Sequence, residues 1–200
     1  MNTSPWNKDR IIVQKRPLLI SHIWGIRIRL ELEGKTRDLA LFNMALDSKP
    51  RGCDLVKLKV SDAAYGSSVS SRATVLQQKT GSPVQFEITK GTREAVAALI
   101  KPGNLHSKDF LFRSRVGTNQ HNSTRQYNRI FHGCVEKLGL EDSLYSTHSI
   151  RRTKPYLIYK KTKNLRVIQL LLGHKKLEST VRYLGIEVDN ALEISESIEV

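Results

Sequence analysis

The sequence contains few cysteines: Cys53 and Cys134 are the only two among 200 residues. Each lies in an apolar setting, which favours two small core residues over a disulfide or a pair of metal ligands. The chain also lacks a cluster of carboxylates and any cysteine–histidine spacing typical of a metal site. The sequence therefore predicts neither a disulfide framework nor a metal centre.

Long hydrophobic runs are missing as well. No segment is apolar over the length that a bilayer requires, and the N-terminus lacks the basic start and apolar run of a signal peptide. We therefore expect no membrane contact and a soluble protein in a reducing, intracellular compartment. At 200 residues the chain can form one domain with a full core, or one domain with a short appendage.

Negative charge is scarce: 19 Asp and Glu stand against 33 Lys and Arg, which gives a net charge of +14. A chain this basic is biased towards polyanions, of which nucleic acid is the commonest. Anionic membrane surfaces and acidic proteins are the alternatives. The charge is uneven, because residues 186–200 contain five acids and no base. We do not expect this tail to lie on DNA.

Hydrophobic periodicity predicts an α+β fold that is mainly α-helical. Residues 20–33 fit a strand, because apolar and charged residues alternate, or a helix capped by Ser21, and we favour the helix. A strand near 57–60 and a hairpin with its turn at 79–82 predict a small three-stranded antiparallel sheet. Further helices are expected at 38–47, 92–101, 123–138, 148–161, 164–172 and 177–184, with a short last helix after Asp189.

Residues that could carry chemistry concentrate between His148 and Tyr183, a stretch that contains H-S-I-R-R, L-L-G-H and S-T-V-R-Y. His148 and Arg151 share a helix face, and an imidazole beside a guanidinium suits a phosphate. Each residue also has a simpler interpretation. The pair could be a solvated surface, His174 could stabilise a helix C-terminus, and Tyr183 could be a half-buried aromatic residue with a hydrated hydroxyl.

Together with two distant residues, this stretch resembles the catalytic domain of the tyrosine recombinase (phage integrase) family, over roughly residues 21–186. The family has an arginine in R-x-x-E-L-x-x-L, a lysine on a β-hairpin, H-x-x-R, L-G-H and a tyrosine nine residues later. The matching residues here are Arg51 in R-G-C-D-L-V-K-L, Lys79, His148, Arg151, His174 and Tyr183. All six occur in the family's order.

The resemblance implies a transesterification at a DNA phosphate. Tyr183 would attack the scissile phosphate and form a 3′-phosphotyrosyl link, leaving a free 5′-hydroxyl. Because the covalent link keeps the energy of the phosphodiester, rejoining needs no ATP. Arg51 and Arg151 would hold the non-bridging oxygens. No metal or other cofactor is required by this chemistry.

The resemblance also assigns the proton transfers and the supporting residues. Lys79 would be the general acid for the 5′-oxygen, His148 would accept the phenol proton, and His174 would donate a hydrogen bond to the phosphate. Asp54 would support Arg51 from the position where the family has Glu. Basic residues near the site are candidate DNA contacts: Arg152, Lys154, Lys160, Lys161, Lys175, Lys176 and Arg182.

Three parts are expected: a basic N-terminal arm at 1–20, the catalytic domain at 21–185, and an acidic tail at 186–200. The tail could be exchanged between subunits or could dock on its own core. The arm is too short to be the DNA-clamping domain that is usual in the family.

The expected function is site-specific DNA recombination by integration, excision or inversion. The expected partner is double-stranded DNA. The protein is expected to form a homotetramer on two synapsed DNA sites, with a monomer as the alternative in solution. Accessory DNA-bending proteins are candidate further partners. The expected location is the bacterial cytoplasm, at the nucleoid. Two alternatives share the fold: a DNA-binding protein with weak or lost activity, and a DNA-relaxing enzyme of the type IB topoisomerase kind. Pro50, Asp54 and Pro155 depart from the family's usual pattern, and they favour the DNA-binding protein with weak or lost activity.

Overall fold

The computed structural model describes residues 14–66, 68–117, 120–185 and 195–196. It is mainly helical with small antiparallel ribbons, so the predicted fold class is confirmed. In chain order the elements are α1 (Ile20–Leu32), α2 (Thr36–Ser48), α3 (Gly52–Val56), α4 (Val60–Ala63), β1 (Ala64–Tyr65), β2 (Ser68–Val69), β3 (Arg72–Leu76), β4 (Pro83–Glu87), α5 (Lys90–Ile100), α6 (Thr124–Lys137), a 3-10 turn (Asp142–Leu144), α7 (Thr147–Thr162), α8 (Leu165–Leu172) and α9 (Leu177–Leu184).

The helix α2 is the centre of the domain. Every residue from Asp38 to Ser48 is buried, and α1, α5 and α7 pack around the helix. Its large apolar side chains, such as Phe42 and Leu46, each contribute roughly 1.5–3 kcal/mol by leaving water. Because α2 is enclosed, its C-terminal end is a fixed point from which the chain enters the candidate site.

The ambiguous segment before α2 is a helix, as we favoured. Ile23, Ile26 and Leu30 follow the helical period and are buried. Of the apolar residues that alternate with charged ones in this segment, Ile28 and Leu32 lie on the exposed face of α1, whereas Ile26 and Leu30 are buried. The predicted cap was wrong: Leu19 is the N-cap residue and Ser21 lies inside the first turn.

The prediction of a three-stranded sheet was wrong in its strand count. Among the described residues, β1 pairs only with β2 and β3 only with β4, in two separate antiparallel ribbons. In the segment expected to be a third strand, Lys59 makes one isolated bridge to Phe110. The Asp62 carboxylate then accepts a hydrogen bond from the Lys59 amide at 2.8 Å. That side-chain cap starts helix α4 and ends the extended backbone.

The C-terminal helices begin and end largely where the sequence indicates. The Ser146 hydroxyl caps α7 by accepting from the His148 amide, and the Asn164 side chain caps α8 by accepting from the Val167 amide. Gly173 and Gly185 end α8 and α9 in the left-handed conformation, which glycine adopts without strain. These caps fix the directions of the helices that carry the candidate site.

Two predicted segments lie outside the described residues: most of the N-terminal arm, and the tail with its short helix after Asp189, of which only residues 195–196 are described. Within the described ranges, the helices are too short or too polar for a membrane span.

Candidate active site

Arg51 enters the site directly after the central helix. Lys49 ends α2 in the left-handed conformation, with φ of 52°, and Pro50 follows. Arg51 is the N-cap residue of α3, and its Nη1 donates a hydrogen bond to Oε1 of Gln77 at 2.9 Å. The guanidinium is thus held at the end of strand β3, and among the described residues its other N–H groups have no hydrogen-bond partner, so they can bind a ligand.

Lys79 lies in the turn between β3 and β4, as predicted, and its side chain is exposed. The turn is closed by backbone hydrogen bonds from Gln77 to Ser82 at 3.0 Å and from Gly81 to Gln77 at 2.8 Å. Across the described part of the chain, the structure records no contact between the Lys79 ammonium and the other five predicted catalytic residues. Lys79 is therefore presented near the site without being fixed in it.

Arg151 is the most enclosed of the predicted catalytic cations, with 7% of its surface exposed. Its Nε donates to the backbone carbonyl of Lys49 at 2.8 Å, which ties α7 to the end of α2. Its Nη2 is buried and has no hydrogen-bond partner among the described residues. Burial disfavours the charged form of this guanidinium and so lowers its pKa. A bound anion would offset the unfavourable free energy of burying the charge.

His148 lies in the first turn of α7, and its side chain is exposed. Partial desolvation of the ring and the positive charges of Arg151 and Arg51 lower the pKa of His148 below its usual 6.5. The imidazole is therefore neutral near pH 7. A neutral imidazole can accept a proton, which is the role that the family resemblance implies for it.

His174 follows the stop at Gly173, and its Nδ1 lies 3.0 Å from the hydroxyl oxygen of Thr180. This hydrogen bond fixes the ring plane. The ring meets the ring of Tyr183 edge to face, with 5.5 Å between their centres. Burial and the charges of Arg151 and Arg51 lower the pKa of His174.

Tyr183 lies on α9 with its hydroxyl buried and without a hydrogen-bond partner among the described residues. The guanidinium carbons of Arg151 and Arg152 lie 5.6 and 5.7 Å from its ring centre. Burial raises the pKa of the phenol to about 12, although these guanidinium groups and that of Arg51 act in the opposite direction. The phenol is therefore neutral at pH 7 and would need a base to become a nucleophile.

Five of the six predicted residues thus form one electrostatic cluster. The charges of Arg51 and Arg151 influence the pKa of His148, His174 and Tyr183 alike. Such a cluster of cationic and neutral donors suits a phosphate diester, and it includes a phenol that could attack one.

Asp54 supports Arg51 by a different route from the one expected. Its carboxylate is buried, and Oδ1 accepts a hydrogen bond from the backbone amide of Gln78 at 3.0 Å. Gln78 adjoins Gln77, whose side chain holds Arg51. Asp54 therefore fixes the β3–β4 turn and acts on Arg51 through it.

Lys154, a predicted DNA contact, forms ion pairs within the fold. Its ammonium forms ion pairs with Asp47 at 2.7 Å and Glu87 at 2.5 Å, next to the buried ammonium of Lys49. This network anchors α7 to α2 and β4. A lysine engaged in this way stabilises the fold, and its contact with DNA stays a prediction.

The other predicted DNA contacts fall into two groups. Arg152 is half-buried, donates to the carbonyl of Lys15 at 2.9 Å and covers the ring of Tyr183. The remaining candidates are exposed at the end of α7, between α8 and α9, and on α9: Lys160, Lys161, Lys175, Lys176 and Arg182. No finding tests their contact with DNA, so this stays a prediction.

Sequence reasoning missed three residues that hold the cluster together: Gln77, Lys49 and Thr180. Gln77 follows an alternating strand at a hairpin end, where a glutamine is usually exposed, yet it is 2% exposed. Lys49 contributes a backbone carbonyl, for which side-chain patterns give no signal. Thr180 could have been found, because it lies six residues after His174 and three before Tyr183 on a predicted helix.

The fold and this cluster together define the class of the protein: a mainly helical α+β catalytic domain of the tyrosine recombinase type. The model of the phage integrase family matches residues 28–188. The chain therefore belongs to the phage integrase family.

Known proteins of this family resemble the chain in sequence and in fold. The probable integrase/recombinase YoeC of Bacillus subtilis (strain 168) is 28% identical over 158 residues, which cover 79% of this chain and 82% of that protein. The structure of XerA recombinase superposes with a TM-score of 0.72 at 18% identity, over 97% of this chain and 68% of XerA. The XerH site-specific recombinase bound to its difH substrate gives 0.71 at 15% identity, over 93% and 56% of the two chains. These structural matches establish the fold.

Proposed function

We propose that the protein is a site-specific DNA recombinase that cuts and rejoins strands through a phosphotyrosyl intermediate. The observation that carries this proposal is a pair of buried polar atoms without partners, Nη2 of Arg151 and the hydroxyl of Tyr183. Buried polar groups in native proteins are nearly always hydrogen-bonded, and among the five such atoms without a partner in the described residues these two belong to neighbouring residues, with the Arg151 guanidinium carbon 5.6 Å from the Tyr183 ring centre. One shared ligand would therefore satisfy both. A phosphate oxygen would satisfy the guanidinium and bring the phosphorus within reach of the phenol.

The proposed reaction conserves bonds and protons. The Tyr183 oxygen bonds to phosphorus as the bond from phosphorus to the 5′-oxygen breaks. His148, neutral at pH 7, takes the phenol proton, and Lys79 gives a proton to the departing 5′-oxygen. Arg51 and Arg151 stabilise the charge on the non-bridging oxygens. Rejoining is the reverse reaction with another 5′-hydroxyl, so no ATP is consumed and no metal ion is required.

Double-stranded DNA is the proposed partner. The net charge of +14 and the exposed lysines at the end of α7 and between α8 and α9 favour a polyanion, and the Tn1549 transposon integrase, which shares the fold, was determined in complex with transposon right end DNA. We further propose a homotetramer on two synapsed sites, with accessory DNA-bending proteins, at the nucleoid of a bacterial cytoplasm. In this arrangement residues 1–20 serve as a basic arm, 21–185 as the catalytic domain and 186–200 as the acidic tail.

Covalent trapping tests this function without knowledge of the target site. A pool of random-sequence duplexes, enriched for bound sequences, is prepared with a 5′-bridging phosphorothiolate, whose thiolate leaving group rejoins poorly. We expect a protein–DNA adduct that survives denaturing electrophoresis with wild type and is absent with Tyr183→Phe.

Two other outcomes support the alternatives. DNA binding without any adduct from wild type would indicate a binding protein that has lost activity. Relaxation of supercoiled plasmids of unrelated sequence, without recombination, would indicate a topoisomerase-like enzyme.

A further inference from the structure

Gln77 is a buried glutamine whose side-chain amide is engaged at both ends. Its Oε1 accepts hydrogen bonds from Nη1 of Arg51 at 2.9 Å and from the hydroxyl of Thr80 at 3.1 Å. Its Nε2 donates to the carbonyl of Leu172 at 3.2 Å. The orientation of the amide follows from its partners, because a guanidinium only donates and a carbonyl only accepts.

These bonds join three segments that are far apart in sequence. The first carries Arg51. The second is the turn that contains Lys79, which the backbone of Gln77 also closes. The third is the last turn of α8, where the carbonyl of Leu172 comes directly before Gly173 and His174.

The packing around Gly173 leaves little freedom at this junction. A Cβ added to Gly173 would lie 2.5 Å from Cγ2 of Val84 and 3.3 Å from Nε2 of Gln77. The C-terminal end of α8 therefore packs directly against the β3–β4 hairpin. A shift of the Gln77 amide would move the hairpin, Arg51 and the start of the His174 loop relative to one another.

We propose that Gln77 is a positioning residue, which sets Arg51 relative to the Lys79 turn and to His174 through this one amide. The proposal rests on the proposed function for its catalytic consequence, whereas its effect on anion binding follows from the geometry alone. Gln77 acts through Arg51 and does not itself touch the phosphate. Misplacement of a catalytic group by about 1 Å can cost on the order of 100-fold in rate.

Two substitutions distinguish the contribution of the Gln77 Oε1 hydrogen bonds from that of the Nε2 hydrogen bond. Gln77→Met keeps the volume and removes all of these hydrogen bonds. Gln77→Glu keeps an acceptor for Arg51 and Thr80 but places a carboxylate against the Leu172 carbonyl. The matched control is Gln78→Met at the exposed neighbour, whose side chain, among the described residues, accepts one long hydrogen bond of 3.4 Å from the Lys57 ammonium.

The first readout is the affinity for inorganic phosphate, measured by calorimetry at constant ionic strength. We expect Gln77→Met to weaken phosphate binding about tenfold, and Gln78→Met to leave it unchanged. In an Arg51→Ala background Gln77→Met should have little further effect, because its influence passes through that arginine. A purely structural role would instead lower the melting temperature and give additive effects with Arg51→Ala.

The second readout is the rate of adduct formation on the trapping duplexes. We expect a reduction of about 10- to 100-fold for Gln77→Met, with an intermediate value for Gln77→Glu and DNA affinity within about twofold of wild type. Unchanged phosphate affinity and unchanged rate in Gln77→Met would overturn the positioning role. If wild type forms no adduct while Gln77→Met still weakens phosphate binding, the proposed function fails and the positioning role stands.

Discussion

Arg151 lies with its guanidinium carbon 5.6 Å from the centre of the Tyr183 ring, and each residue has a buried polar atom without a partner among the described residues. The arginine is held by the carbonyl of Lys49 through Nε alone. Its Nη2 and the phenol hydroxyl therefore share an enclosed, positively charged environment. A phosphate placed there would satisfy the guanidinium and meet the nucleophile at once.

Arg151→Lys is expected to lower the rate of adduct formation by roughly 100-fold, because lysine loses both the forked geometry and the bond to the Lys49 carbonyl. The loss corresponds to about 3 kcal/mol in the barrier. Single-turnover kinetics on the trapping duplexes measures it. The control is Lys160→Ala on the exposed part of the same helix, which should weaken DNA binding and reduce its salt dependence but leave the rate at saturating protein unchanged. Equal rates for Arg151→Lys and wild type would contradict the assigned role.

The pH profile of adduct formation reports on His148. Since partial desolvation of its ring and nearby arginines lower its pKa below 6.5, the base is neutral from pH 7 upward. The rate should be flat between about pH 7 and 9, where Tyr183 with a pKa of about 12 stays protonated, and should fall only below pH 6.5. His148→Asn should be slow throughout and should lose this acid limb. An acid limb that persists in His148→Asn would assign the titration to another group.

Gly173→Ala tests how closely α8 approaches the hairpin. Both Gly173 and Gly139 have positive φ, but a Cβ at Gly139 meets nothing within 4 Å, whereas at Gly173 it meets Val84 at 2.5 Å. Gly139→Ala should therefore cost about 1 kcal/mol of stability from backbone strain alone, and Gly173→Ala clearly more. Chemical denaturation measures both. The double variant Gly173→Ala/Val84→Ala should be destabilised by less than the sum of the two single variants, because the smaller residue 84 makes room for the new methyl group. A loss of stability equal to that sum would contradict a close contact between Gly173 and Val84.

Acid stability depends on Asp47, which anchors α7. Burial alone would raise the pKa of this carboxyl, but the hydrogen bond and charge of Lys154 and the hydrogen bond from the Thr89 amide help to outweigh it and lower the pKa below 3.8. A carboxyl with a lowered pKa adds stability above its unfolded pKa, and that stability is lost as the pH falls through the folded value. Asp47→Asn should be less stable than wild type at pH 7 and should lose less stability between about pH 5 and 3. Parallel curves for the two proteins would exclude this role.

Much of the fold was predictable, because the signals that set it are local. The caps Ser146 and Asn164 and the stops Gly173 and Gly185 act on their own helices, so the sequence places α7, α8 and α9 within a residue or two. The sheet was less predictable. Residues 57–60 can extend a strand by pairing with the distant segment around Phe110, or they can give way to helix α4, which the Asp62 carboxylate starts. Local sequence patterns do not decide between these two outcomes.

The candidate site also has one group of residues that the sequence predicts and another that it does not. Motif residues such as Arg51 and Tyr183 could be chosen from sequence, since chemistry limits their residue types. Their supports could not be chosen, because they depend on tertiary geometry. The Lys49 carbonyl and the Gln77 amide become partners only when segments 26 to 102 residues apart meet.

The central claim is that Tyr183 becomes covalently linked to DNA, and peptide mapping of the trapped adduct tests it most directly. The adduct is digested with nuclease and protease, and the nucleotide-bearing peptide is identified by mass spectrometry. The account predicts a 3′-phosphate ester on Tyr183, with the nearby Tyr156 and Tyr159 unmodified. A nucleotide on any other residue, or no linked peptide from a wild-type protein that binds the duplex, would contradict it.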